Sequence, residues 1–176
     1  MLKCFERHPY MWSTHVWNMF DFAADARDQG GEPGMNHKGL MTFDRKVKKD
    51  SFYIYKAYWS KEPFVHLCGS RYVDRTEAVT TVKVYSNQTK VALYANGKLL
   101  EEKTGNKVFE FRVPLNGEVR LEAVSGQAKD TSTIRRVAIS MELIQKNIAL
   151  FVSILGKAAP RIRRNKKRRI KHQIDV

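Results

Sequence analysis

Only two of the 176 residues are cysteine, Cys4 and Cys68, and they stand far apart with no CxxC or Cys/His cluster. That excludes a disulfide framework and reads as two reduced thiols of a cytoplasmic protein. The five histidines, His8, His15, His37, His66 and His172, show no metal-ligand spacing, so no metal is expected. Gly30-Gly31 lacks the Gly-Lys-Ser/Thr that a phosphate loop needs, and no cofactor is expected either. The most apolar stretch, Ile148 to Leu155, is far short of the roughly 20 residues of a membrane span, so no membrane partner is expected. The opening Met1-Leu2-Lys3-Cys4-Phe5-Glu6-Arg7 mixes charge with apolar residues and is no signal peptide. A complete eight-stranded α/β barrel takes roughly 250 residues, more than this chain has.

Charge is abundant and uneven. The net charge is +14; residues 138–176 hold ten Lys/Arg against two acids, and the rest of the chain 22 against 16. Arg161 to Lys171 carries eight basic residues in eleven. Such a run binds phosphates in principle. No aromatic platform interleaves with it and no recognition motif precedes it, so a nucleic-acid partner is not expected. The reading of 138–176 is a basic tail, disordered or helical.

Near the other end, Trp12 to Phe22 is the most aromatic run. Val16, Trp17, Met19, Phe20 and Phe22 are too dense for a half-exposed strand, so the stretch predicts a strand buried on both faces, as in a parallel sheet covered by helices. A short amphipathic helix stopped by Pro9 precedes it. Ala23 to Met35, with three glycines, a proline and several acids, predicts a long loop. Val47 to Trp59 follows as a helix with a broad apolar stripe, and Asp50-Ser51 lies in its cap or first turn.

After Pro63 the apolar period drops from 3.6 to 2. Val82/Val84, Val91/Leu93/Ala95, Phe109/Phe111/Val113 and Val119/Leu121/Ala123 each alternate with outward residues. Asn96-Gly97 is a strong type I′ hairpin signal, and Asn116-Gly117 and Ser125-Gly126 mark later turns. Six or seven strands between His66 and Val137 describe an immunoglobulin-like antiparallel β-sandwich without the Cys–Trp–Cys spacing of antibody domains.

Four ordered motifs carry a resemblance: His15-Val16-Trp17-Asn18-Met19-Phe20-Asp21-Phe22, Gly34-Met35-Asn36-His37-Lys38-Gly39-Leu40, Thr42-Phe43-Asp44-Arg45-Lys46 and Tyr55-Lys56-Ala57-Tyr58-Trp59. Together they resemble bacterial family 2 glycoside hydrolases of the β-galactosidase type, over about residues 1–137. The resemblance implies a mixed fold: residues 1–62 as the last β/α unit of a (β/α)₈ barrel, 63–137 as the immunoglobulin-like sandwich, and 138–176 as the tail. It also implies a C-terminal part of a retaining hydrolase, whose partners are a β-galactoside or related glycoside and the N-terminal part of the barrel.

Retaining hydrolysis needs two carboxyl groups about 5–5.5 Å apart. The family's two catalytic glutamates lie on earlier strands, and no Asn-Glu pair occurs here, so no catalytic residue is expected in this chain and it is expected to be inactive alone. Substrate-side residues do carry over. Trp17 matches a tryptophan beside the sugar, with a plain core aromatic as the alternative. Asn36 and Lys38 match the Asn-x-Lys pair by which β-glucuronidases of the family hold a substrate carboxylate, an ammonium and an amide together suiting that group. A β-glucuronidase parent is therefore the alternative reading; a glycan- or nucleic-acid-binding module is another. Asn18 and Asp21 face either sugar hydroxyls or neighbouring loops. Asp44-Arg45 reads as a salt-bridged cap, and Tyr72, Tyr85 and Tyr94 are candidates for a sugar-binding face on the sandwich.

Overall fold

The computed structural model describes residues 2–29 and 32–138. A five-residue helix, α1 (Leu2–Glu6), fits the amphipathic start. Residues 10–21 then form no strand beyond one parallel bridge from Phe20 to Met41. This corrects the doubly buried strand: Trp12 is 95% exposed and Trp17 77%. Burial on two faces is supplied by neighbours, and among the described residues the backbone-to-backbone bonds of 18–21 go to Leu40–Met41 alone. The described residues do not show a barrel unit; one parallel bridge and one helix stand where an eighth strand and helix were expected.

The long loop is also corrected. β1 (Phe22–Gln29) and β2 (Glu32–Asn36) form an antiparallel hairpin, pairing Phe22 with Asn36 and Gln29 with Glu32 across an irregular middle. Most of its residues are exposed, so no apolar alternation marks it as sheet. The next helix, α2 (Asp50–Trp59), starts at Asp50 rather than Val47. Val47–Lys49 is held in a strand-like turn by Thr42 N–H donating to Val47 O and Lys49 N–H to Leu40 O. Asp50 in the first turn complements the helix dipole. The helix buries only Ala57 fully, and Trp59 at its end is 60% exposed.

The sandwich is the larger part of the fold. Eight strands follow: β3 (Val65–Leu67), β4 (Asp74–Arg75), β5 (Val79–Ser86), β6 (Lys90–Ala95), β7 (Lys98–Thr104), β8 (Lys107–Pro114), β9 (Glu118–Ser125) and β10 (Ala128–Arg136). One sheet runs β3-β5-β8 and the other β4-β10-β9-β6-β7. Every pairing is antiparallel except the two-residue parallel contact of β4 with β10. The period-2 reading holds in detail. Val82, Val84, Phe109, Phe111 and Val113 point inward from one sheet, and Val91, Leu93, Leu121, Ala123 and Ile134 from the other, all in one apolar cluster. Asn96 (φ 50) and Gly97 (φ 79) form the turn between β6 and β7, both in the left-handed region that a type I′ turn needs. Helix α2 packs on β5 and β8. The tail, from Ile139 onward, lies outside the described residues.

Phe111 is fully buried at the centre of this cluster. Phe111→Ala is expected to cost about 3–5 kcal/mol, read as a lowered urea midpoint with an unchanged slope. A loss below about 1 kcal/mol would show that the two sheets are not held together by this core.

Candidate functional site

The polar contacts of the N-terminal region converge on Asp21, whose side chain is buried. Its Oδ1 accepts the Gly39 N–H at 2.9 Å and the Lys49 ammonium at 2.6 Å, while Oδ2 faces His37 Nδ1 at 3.5 Å. Lys49 also donates to the His37 carbonyl at 3.0 Å. His37 reaches the hairpin twice: its N–H donates to Gln29 Oε1 at 2.8 Å and its Nε2 lies 3.1 Å from Glu32 Oε2. The segment before β1, the loop after β2 and the turn before α2 are thereby tied at one carboxylate. Burial pushes that carboxyl up, but the Lys49 hydrogen bond, the Gly39 amide, the Lys49 charge and the His37 contact outweigh it. The acid is held below its ordinary value of 3.8.

Gly39 is what lets the loop approach so closely. A Cβ there would run into the backbone of Phe20 and Asp21, which no other residue type avoids. Just before it, Asn36 is buried and its Oδ1 accepts the Lys38 N–H at 3.0 Å, closing a tight turn. That turn leaves Lys38 exposed.

The other predicted positions lie to one side. The Asn18 carbonyl accepts the Leu40 N–H at 3.1 Å, and its Oδ1 is buried with no partner among the described residues. Trp17 packs edge-to-face on Phe22, 6.2 Å between ring centres, and is joined to Asn18 by a cis peptide. An open cleft of about 560 Å³ is lined by Asp21, Glu32, His37, Phe43, Lys49 and Arg71 among others. Of the five predicted residues only Asp21 lines it; Trp17, Asn18, Asn36 and Lys38 do not. With both oxygens engaged by donors, Asp21 acts here as a clip between segments.

His37 and Lys49 were missed by the sequence reading. His37 lies within the Asn-His-Lys-Gly motif, which was the available signal. Lys49 is one of several cations in Arg45–Lys49, and nothing local sets it apart. Asp44-Arg45 is not a salt-bridged cap. Asp44 Oδ1 accepts from Thr42 Oγ1 and the Lys46 N–H, closing the 42–47 turn, while Arg45 lies over the Phe20 ring at 4.8 Å. The helix N-cap is Lys49, with no side-chain cap bond. Tyr85 stands on β5 and Tyr94 on β6, in different sheets, so they share no binding face.

No family model matches the chain. A β-glucuronidase of Bacteroides fragilis is 46% identical over 96 residues, 54% of this chain and 14% of that enzyme. Among solved structures, an FMN-binding β-glucuronidase from Facaelibacterium prausnitzii is 50% identical with a TM-score of 0.75, covering 78% of this chain and 22% of that one. A Bacteroides fragilis protein provisionally called a β-galactosidase is 39% identical with a TM-score of 0.71, covering 80% and 22%. The chain thus spans less than a quarter of the length of these relatives. Over that span it is similar to segments of larger bacterial glycoside hydrolases. The named relatives are β-glucuronidases more often than β-galactosidases, which favours the β-glucuronidase alternative over the galactosidase expectation.

Asp21→Asn keeps the shape and removes the charge facing Lys49. Truncating such a partly buried pair is expected to cost about 2–3 kcal/mol at neutral pH. Because the folded carboxyl sits below 3.8, this stabilisation is present above that value and is lost as pH falls through the folded pKa. Urea unfolding at pH 7 and pH 3 reads it: the gap between wild type and Asp21→Asn should narrow at pH 3. A gap that is constant with pH would remove the ion pair as its cause.

Proposed function

We propose that this chain is the substrate-side part of a β-glucuronidase, and that Asn36 and Lys38 hold the carboxylate of a β-glucuronide. The observation that carries the reading is the turn at 36–38. A buried asparagine fixes the turn through Oδ1, and the following lysine is left exposed. Asp21, Lys49 and Gly39 hold that turn from behind. A flexible ammonium on a fixed backbone suits a ligand carboxylate, because the charge-assisted contact then needs little ordering of the loop. The 46% identity to a β-glucuronidase supports the same substrate class. In this proposal Trp17, whose side chain is exposed, contributes an indole face to the sugar.

Catalysis in this reading comes from two carboxyl groups outside the chain. An acid protonates the glycosidic oxygen and a carboxylate attacks the anomeric carbon, at the short separation retaining chemistry requires. The purified 176-residue chain should therefore show no turnover of nitrophenyl glucuronide above background.

Specificity is tested in a chimera carrying these residues in place of the matching segment of the Bacteroides fragilis β-glucuronidase. It should hydrolyse nitrophenyl glucuronide in preference to the galactoside. Lys38→Ala in that chimera should lower glucuronide kcat/KM by roughly 2–5 kcal/mol of transition-state binding and leave the weak galactoside rate unchanged. Equal losses on both sugars would sink the carboxylate role, and a galactoside preference in the parent chimera would return the galactosidase reading.

A further inference from the structure

A second polar cluster lies where α2 meets β3. His66 lies on β3, and Cys68 stands just past the strand's end, where its N–H still donates to the Lys83 carbonyl at 2.9 Å. Asp50, the first residue of α2, comes to meet them. His66 Nε2 lies 3.0 Å from Asp50 Oδ1, and one ligand atom from each of Asp50, His66 and Cys68 falls within 4.8 Å of the other two. Such a nitrogen, oxygen and sulfur set matches borderline divalent cations rather than calcium or magnesium, which take oxygen alone.

We propose that Asp50 Oδ1, His66 Nε2 and Cys68 Sγ form a structural binding site for a zinc-like divalent cation that fastens α2 to the sandwich. The support comes from what surrounds these three atoms. Asp50 and His66 each have their second polar atom held by a separate neighbour. Asp50 Oδ2 accepts the Gly69 N–H at 2.8 Å. His66 Nδ1 faces Asp130 Oδ2 at 3.3 Å, and that oxygen also accepts the Leu67 N–H at 2.7 Å. The imidazole is further fixed by stacking on Tyr53, with ring centres 3.6 Å apart and planes 13° from parallel. A carboxylate behind the second nitrogen of a ligating histidine is the usual device for setting its tautomer and orientation.

Three protein ligands leave a fourth position for water. This site is independent of the carboxylate-binding turn, and either reading can fail without the other.

The test uses the full chain carrying Cys4→Ser, since Cys4 is the other thiol and lies 3.7 Å from His8 Nδ1. Titration with Co²⁺ should give a thiolate-to-cobalt charge-transfer band and strong visible bands of a four-coordinate site, at one cobalt per chain. Zinc should displace it. Cys68→Ser should abolish the charge-transfer band, and Asp130→Asn should weaken cobalt binding by about 10–100-fold. X-ray absorption of the zinc-loaded protein should show one sulfur in the shell, which keeps the question open to decision if a variant fails to fold. Absence of the band in the folded Cys4→Ser protein, its survival in Cys68→Ser, or a shell without sulfur would each overturn the site.

Discussion

The structure depends on one layer of apolar contact, the closure of β3-β5-β8 over β4-β10-β9-β6-β7. Alternate residues along each long strand enter that layer, and no other part of the described chain buries comparable side chains. Helix α2 gains its fixed position by packing on β5 and β8. The hairpin β1-β2 and the loop after it are held in turn by the carboxylate clip at Asp21, whose Lys49 partner directly precedes α2. Order is thus passed outward from the sandwich, first through packing and then through buried charge.

This gradient explains what could be read in the sequence. In the sandwich, the local pattern and the final burial have the same cause: a strand with one wet face and one dry face must alternate. Val82 to Val84 and Phe109 to Val113 announce themselves, and Asn96-Gly97 fixes the hairpin because two consecutive residues there need positive φ. Trp12 to Phe22 misleads for the opposite reason. Its apolar density implies neighbours on two faces, but the burial itself belongs to those neighbours, and among the described residues the backbone of 18–21 is bonded only to that of Leu40–Met41. The hairpin at 22–36 is invisible because most of its residues face solvent, so composition near Gly30-Gly31 reads as loop.

The candidate site divides along the same line. Asn36, Lys38 and Asp21 were legible as members of an ordered motif, which carries chemistry in contiguous residues. Lys49 was not, since its role arises from contact with a carboxylate 28 positions earlier. The cluster at Asp50, His66 and Cys68 was missed for a related reason. His-x-Cys alone is a weak pattern, and Asp50 stands 16 residues before His66 on a different element. Only the docking of α2 brings it within reach.

Both polar clusters solve the same physical problem: fastening a segment with little apolar surface of its own to a body that has plenty. A buried carboxylate is costly to desolvate, and it is stable in such a place only when several donors meet it in good geometry. That requirement makes each joint directional, unlike an apolar contact, which tolerates sliding. At Asp21 the direction is set by a backbone amide from Gly39 and an ammonium from Lys49, and Gly39 adds a steric limit, because the loop crosses where no Cβ fits. The position of the Asn36–Lys38 turn is therefore fixed by bonds and exclusions on its inner side. This leaves the outer side, where Lys38 stands exposed, available for recognition without having to hold the loop as well.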